Sequence, residues 1–273
     1  MHPNSAFEEY YQNIYRGRWQ SLRESLLAPP ASVAYGEGLA RPYRLDYGSV
    51  LAALSLRFPQ ETMLPEETGG EILDACAAPG GKSLVIAGRM GSGLRLLANE
   101  LSGERRRRLA AALDAHLDRE KRRQVTVSGF DAAAAGGKKR DWGRFGAVLL
   151  DAPCSSERHV LADPGALAQW TPARPRFLAK RQWALLSAAF LLLKPGGSLV
   201  YATCALSLQE NDGVAGRLLE KYGTLPAQTT GRVRLDPPGF PEGEETRYGR
   251  IILPDLSGGM GPMYVARFRK DPV

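Results

Sequence analysis

Residues 71–82, reading Glu-Ile-Leu-Asp-Ala-Cys-Ala-Ala-Pro-Gly-Gly-Lys, constrain this chain more than any other stretch. Ile72 and Leu73 read as the end of a buried strand, Pro79-Gly80-Gly81 as a tight turn, and Leu84-Val85-Ile86-Ala87 as an apolar-periodic helix. Strand, glycine turn and helix in that order open a nucleotide-binding βαβ unit. Its backbone must approach the ligand closely, at Gly80 and Gly81, and its helix N-terminus points at it. Asp74 closes the strand, where a carboxylate reaches a cationic or hydroxyl-bearing ligand. The Gly-x-Gly-x-x-Gly spacing of dinucleotide folds is absent. Gly81-Lys82-Ser83 fits the end of a phosphate-binding P-loop, but that loop's first glycine would fall at Cys76.

With those two forms set aside, the turn reads as the one that holds S-adenosylmethionine. Residues 94–97 read as the next strand, ending at Asn99-Glu100. Glu100 stands twenty positions after Gly80, where nucleotide folds place an acid on the ribose hydroxyls. Glu100 can also be read as a helix-start acid, with Ser102 capping the next helix; the glycine turn favours the ribose.

A chain of 273 residues buries one substantial core, with room for a small appendage. The formal charge of +7 implies an anionic partner, although charge alone does not separate nucleic acid from a membrane surface. The longest apolar run, residues 185–193, falls far short of the ~20 residues of a membrane span. Residues 1–15 are polar and acidic-aromatic, unlike a signal peptide. The three cysteines, 76, 154 and 204, make neither a disulfide framework nor a zinc pattern. No metal is expected, and a reducing cytoplasm fits.

Along the chain, residues 1–28 form an amphipathic helical pattern: Phe7, Tyr10, Tyr11, Ile14 and Tyr15, then Trp19, Leu22 and Leu26, ended by Pro29-Pro30. Packing on the main body is the favoured role, with RNA contact through Arg16, Arg18 and Arg23 the alternative. Residues 31–42 read as irregular and 47–56 as a helix. Strands at 72–74, 94–98, 124–127, 147–150 and 198–203 then alternate with helices at 102–116 and 177–193, which argues an α/β fold with a doubly wound parallel sheet. Residues 132–139 read as a loose surface segment and 194–197 as a sharp turn. Basic runs at 105–108, 121–123, 138–140, Arg174 with Arg176, Lys180-Arg181, and Arg267 with Arg269-Lys270 suggest a polyanion-binding surface.

Ligands of open α/β sheets gather outside the carboxyl ends of the strands. Cys154, in Asp151-Ala152-Pro153-Cys154-Ser155, comes after the fourth strand; Cys204, in Tyr201-Ala202-Thr203-Cys204, comes after the fifth. Two thiols beside a methyl donor suit carbon 5 of a pyrimidine, a poor nucleophile. A thiolate adding to carbon 6 makes the ring an enamine or enolate, and carbon 5 then takes the methyl. The second thiol can assist release. With a free thiol pKa of about 8.5, the attacking sulfur needs positive charge nearby. The competing reading is two inert core thiols.

Asp-Ala-Cys-Ala-Ala-Pro-Gly-Gly-Lys (74–82), Asp-Ala-Pro-Cys-Ser (151–155), Lys-Pro-Gly-Gly (194–197) and Tyr-Ala-Thr-Cys (201–204) stand in an order that resembles the RsmB/Nop/Sun family of RNA cytosine-5 methyltransferases, over roughly residues 43–270. The resemblance implies a Rossmann-like class I methyltransferase domain over 43–273, preceded by a helical and irregular extension over 1–42. A short strand pair at 251–253 and 263–268 would suit its end. It implies that Cys76, Ala77, Ala78, Pro79, Gly80, Gly81 and Lys82 surround the methionine part of S-adenosylmethionine, Glu100 the ribose, Asp131 the adenine side, and Asp151 the region of the amino group and target base. Arg105 matches a cofactor-proximal arginine, Cys204 the nucleophile, and Cys154 the cysteine of product release. Glu157-Arg158-His159 and Gly261-Pro262-Met263-Tyr264 look like the mitochondrial small-subunit rRNA branch. Glu100 stands where aspartate is common and Ala205 where serine often comes after the nucleophile. The length leaves no room for a NusB-like or PUA-like RNA-binding domain, so selection would fall to the basic surface, the N-terminal segment, or a protein partner or ribosomal subunit. The expected enzyme is a monomer acting on RNA, rRNA before tRNA. Other outcomes are a non-catalytic ribosome-assembly factor, or another pyrimidine substrate; a DNA-type arrangement would make Cys154 the attacker.

Overall fold

In the computed structural model, which describes residues 3–58, 70–223, 232–236, 238 and 240–272, the chain opens with helices α1 (Pro3–Tyr15) and α2 (Trp19–Leu27), joined by a 3-10 turn. Their apolar stripe packs on the main body: Phe7, Tyr11, Trp19, Leu22 and Leu26 are all buried in one cluster with sheet residues Leu73, Val148 and Leu199. Strands β1 (Ser32–Tyr35) and β2 (Tyr43–Asp46) come next, paired antiparallel in the register Val33–Leu45 and Tyr35–Tyr43. The expected irregular stretch 31–42 is therefore one-third strand. Four alternating residues carry little signal alone, and here the pairing supplies the order. Asp46 caps α3 (Tyr47–Leu54), accepting from Gly48 N at 2.7 Å.

The Rossmann-like core then runs β3 (Gly70–Asp74), α4 (Gly81–Arg89), β4 (Leu94–Asn99), α5 (Gly103–His116), α6 (Arg119–Arg123), β5 (Val125–Ser128), α7 (Ala132–Ala135) and β6 (Phe145–Asp151). It continues through α8 (Glu157–Ala162), α9 (Pro164–Ala168), α10 (Ala173–Leu192), β7 (Leu193–Thr203), α11 (Asp212–Tyr222), β8 (Val233–Leu235), β9 (Glu244–Glu245), β10 (Arg250–Ile252) and β11 (Met263–Lys270). Strand order is β5-β4-β3-β6-β7-β11-β10-β9, with β8 also on β11. The first five are parallel; β11 runs antiparallel to β7 and β10 to β11, so the expected terminal strand pair extends the central sheet.

Side chains alternate along these strands as the pleat requires. Leu73, Val148, Leu150 and Leu199 enter the layer that holds α1, α2 and α10, while Ile72, Leu149 and Val200 enter the layer that holds α3, α4 and α5. Two other expectations change. Ala132 and Ala135 are buried, and a Cβ on Gly136 would sit 2.8 Å from Ala188, so small residues let α7 press onto α10 rather than hang loose. Residues 194–197 are a bulge inside β7 between the pairings Phe145–Leu193 and Ala147–Ser198, with Gly196 at φ 76°, rather than a turn before it. Helix α10 starts four residues earlier than its apolar period suggests, because Pro175 is tolerated in a first turn. Among the described residues no helix is long and apolar enough to cross a membrane.

Phe7 is fully buried, with its ring 5.0 Å from Trp170 and 4.7 Å from Tyr11. Phe7→Ala should cost about 3–5 kcal/mol in chemical denaturation. A loss under about 0.5 kcal/mol would mean that α1 frays from the body instead of belonging to its core.

Candidate active site

Three loops leave the carboxyl ends of β3, β6 and β7, and each brings chemistry to the same edge. The β3 loop ends in α4, whose start is shaped by two glycines. Gly80 sits at φ 120°, and a Cβ there would meet Ala112 at 3.2 Å and Leu109 at 3.3 Å. On Gly81 it would meet Leu45 and Tyr43 at 3.1 Å. Gly80 thus makes room for α5, while Gly81 makes room for β2 and itself lines the cavity beside Tyr43 and Leu45. A cavity of about 220 Å³ is walled by Tyr43, Ser49, Cys76, Ala77, Ala78, Pro79, Gly81, Lys82 and Asp151, and Gly80 takes no part in it.

Lys82 spans this cavity, 2.8 Å from Asp151 and 3.0 Å from Ser49 Oγ. Burial alone would lower its pKa, but the Asp151 carboxylate outweighs that and holds the ammonium charged. Asp74 accepts from Ser83 Oγ at 2.6 Å, its Oδ1 has no hydrogen-bond partner among the described residues, and burial pushes its carboxyl up to about 7. Burial also raises the Cys76 thiol, which suits a lining residue and not a nucleophile.

Cys76 is shared with a second cavity of about 380 Å³, bounded by Asn99, Glu100, Leu101, Arg105, Phe130, Asp131, Arg181 and Leu185. Arg105 bridges Glu100 at 3.4 Å and Ala78 O at 2.9 Å, tying the ends of β3 and β4 together. Asp131 lines the cavity as expected, but it also caps α7 through Ala133 N at 3.0 Å and pairs with Arg181 at 2.9 Å. Asn99 was missed in the sequence. Its amide donates to Ala75 O and Phe130 O and accepts from Phe130 N, all within 3.1 Å, so one side chain fixes three strand ends. Carboxylates at Glu100 and Asp131, an apolar slot at Leu101, Phe130 and Leu185, and a cationic wall fit a nucleoside that carries a charged tail.

The two remaining cysteines meet across β6 and β7. Their sulfurs lie 2.8 Å apart, both free, with Ser156 Oγ 3.3 Å from Cys204 and 3.6 Å from Cys154. The hydrogen bond from the Cys154 thiol lowers the Cys204 pKa against the cost of burial, with help from Ser156. The same bond, with burial, raises Cys154. Cys204 opens on a third cavity of about 620 Å³, whose walls include Leu26, Pro29, Asp46, Ser49, Arg158, His159, Pro262 and Met263; Cys154 is not among them. Arg158 builds that wall by donating to Leu26 O, Ala28 O and Gly261 O at 2.8–3.0 Å, which joins α2 to the 259–262 loop. Arg158 was legible only as part of a motif and Ser156 was not singled out at all, because their partners lie over a hundred residues away or in the opposite strand end.

Not every basic run faces solvent. Arg267 and Lys270, expected on the surface, are buried; Arg267 donates to Ser55 O and lies 2.9 Å from Asp236, and Lys270 donates to Leu193 O. Lys121 likewise donates to Ala87 O and Gly88 O.

The profile of the family described as 16S rRNA methyltransferase RsmB/F matches residues 61–269. A ribosomal RNA small subunit methyltransferase F of Aeromonas salmonicida is 44% identical over 208 residues, covering 74% of this chain and 40% of that protein. Its counterpart in Aeromonas hydrophila is 45% identical over 156 residues, 56% of this chain and 31% of that one. The chain therefore spans less than half the length of these relatives. Among solved structures, NSun6 from Pyrococcus horikoshii with SFG aligns at a TM-score of 0.65 and 26% identity, covering 87% of this chain and 54% of that chain. A methyltransferase homologue from the same organism, 20% identical, shares the fold at a TM-score of 0.69 over 96% of this chain and 93% of its own.

Behind the thiols, Ser155 Oγ donates toward carboxylate oxygens of both Glu157 and Glu210, the latter at 2.6 Å, although it has one proton. One carboxyl must therefore carry a proton of its own. Burial, and then the neighbouring Glu157, push Glu210 from 4.5 up to about 7. The folded protein keeps this proton while the unfolded chain sheds it near the ordinary value, so stability should fall as pH rises from about 4.5 through about 7, by up to about 1.4 kcal/mol per pH unit. Glu210→Gln should flatten that slope in urea titrations at several pH values, leaving the parts due to Asp74 and Glu157, both of which burial also raises. An unchanged slope would mean that Glu210 is ionised in the fold.

Proposed function

The chain belongs to the 16S rRNA methyltransferase RsmB/F family, and on that premise we propose that it transfers a methyl group from S-adenosylmethionine to carbon 5 of a cytosine in RNA. The observation that carries this reading is the pair of sulfurs 2.8 Å apart, one of them opening on a wide pocket beside the cofactor-sized cavities. The relatives' names favour ribosomal RNA over transfer RNA as the substrate.

S-adenosylmethionine, when bound, supplies an electrophilic methyl. Cys76, Ala77, Ala78, Pro79, Gly81 and Lys82 would flank its amino-acid end, with Glu100 and Arg105 at the ribose and Asp131 at the adenine. Cys204 attacks as thiolate: its sulfur forms a bond to carbon 6 of the ring, and the displaced electron pair makes carbon 5 nucleophilic. After carbon 5 has taken the methyl, its proton leaves to a base. The returning electron pair then breaks the sulfur–carbon bond and frees Cys204. Cys154 stays protonated, since its own hydrogen bond to Cys204 raises its pKa, and so it is placed to donate to the departing sulfur. Asp151 lies between the cofactor cavity and the thiols, with Lys82 balancing its charge.

Two measurements test this. Glu100→Ala should weaken S-adenosylmethionine binding in calorimetry by about ten- to a hundredfold, the value of lost hydrogen bonds to a charged group; unchanged affinity would remove the ribose assignment. Cys204→Ala should give neither methylated product nor a covalent protein–RNA species. Cys154→Ala should still attack and methylate, leaving an adduct that survives denaturing electrophoresis. Losing the first step empties the pathway, whereas losing the last fills the intermediate before it. An adduct from Cys204→Ala alone would reverse the two roles, and two equally unstable, adduct-free variants would return both thiols to the core.

A further inference from the structure

Phe177 is 72% exposed, a large apolar ring on a helix with a buried face to offer instead. Around it on α10 stand Arg174, Arg176 and Lys180, all exposed, and none of the three has an acidic partner among the described residues. Most other cations near the site are engaged: Arg105 with Glu100, Arg181 with Asp131, Lys82 with Asp151. Residues three and four apart on a helix are neighbours, so Arg174, Phe177 and Arg181 form one stripe that runs into the cofactor-sized cavity, with Lys180 beside it.

The place of this stripe matters. Gln182 Nε2 donates to Pro153 O at 2.9 Å, which fixes that level of α10 at the carboxyl end of β6, next to Cys154. Phe177 lies five residues toward the N-terminus of the helix, about 7 Å beyond the sheet edge on the side where substrate must arrive.

We propose that Phe177 is a stacking platform for a nucleobase of the single-stranded RNA that flanks the target nucleotide, with Arg174, Arg176 and Lys180 on its phosphates. An exposed ring among unpaired cations is the pairing that single strands require: a π-face that accepts any base and charge that tracks the backbone. A folded protein partner would favour a wider apolar patch, whereas the residues beside Phe177 on α10 at 174, 176 and 180 are exposed cations. This inference rests on the reading of the chain as an RNA methyltransferase.

The test uses the full chain and a fluorescein-labelled single-stranded RNA oligonucleotide in anisotropy titrations, with S-adenosylmethionine calorimetry alongside. Phe177→Ala should weaken RNA binding about 5- to 100-fold, Phe177→Trp should restore it and Phe177→Leu should not. Arg176→Glu with Lys180→Glu should make the dependence of affinity on salt shallower. Cofactor affinity should hold in every variant, which also reports folding. Wild-type RNA affinity in Phe177→Ala, or equal rescue by Leu and Trp, overturns the stacking role. Wild-type protein that binds cofactor but no RNA overturns the methyltransferase reading instead, so the two failures are distinct.

Discussion

The proton shared around Ser155 is the constraint from which the catalytic edge is built. Glu157 accepts from Tyr11 on α1 and from Leu206 N after Cys204; Glu210 accepts from Ser155 N beside Cys154 and from Gln182 on α10. Both carboxyls are buried. Two buried negative charges bridged by one hydroxyl would each carry a desolvation penalty of several kcal/mol and repel one another. A single charge held by several donors avoids both costs. The arrangement locks the loops of Cys154 and Cys204 to each other and to the N-terminal helix, which is how two sulfurs fifty residues apart come to lie within hydrogen-bonding distance. It also gives the aromatic N-terminus a reason to be there: Tyr11 completes the network, and Tyr15 holds Leu206 O at 2.9 Å.

What the sequence made legible was whatever is encoded within a few residues. The strand–turn–helix at 71–82, the alternation of strands and helices and the stripe of α1 and α2 are local patterns, and each reappears in the fold. Illegible were the features whose partners are distant. Val33 and Tyr35 become a strand only because Leu45 and Tyr43 lie opposite. Residues 132–135 look like loose linker until Ala188 stands against Gly136. In the site, cysteine positions and the acids at 100 and 131 are tied to strand ends, which composition and spacing betray. Glu210, Ser156 and Asn99 are not, since nothing adjacent in the chain says that a buried glutamate will face another. Charge was the poorest guide: Arg267 and Lys270 read as surface cations and are buried among backbone carbonyls.

The thiols raise a problem that packing alone does not solve. Burial penalises both thiolates, so a site with two sulfurs needs something else to choose the nucleophile. Here the choice is directional hydrogen bonding. Cys204 accepts from Cys154 and Ser156 and faces the wide pocket, while Cys154 donates, keeps its proton and lies behind. Lys82 adds positive charge from the cofactor side and is itself held charged by Asp151. Position in the chain does not contain this asymmetry, because either strand end could carry an attacker. Ser156, a left-handed residue at φ 54°, reaches both sulfurs with its hydroxyl and eases both thiolates, so the asymmetry comes from the Cys154–Cys204 hydrogen bond itself.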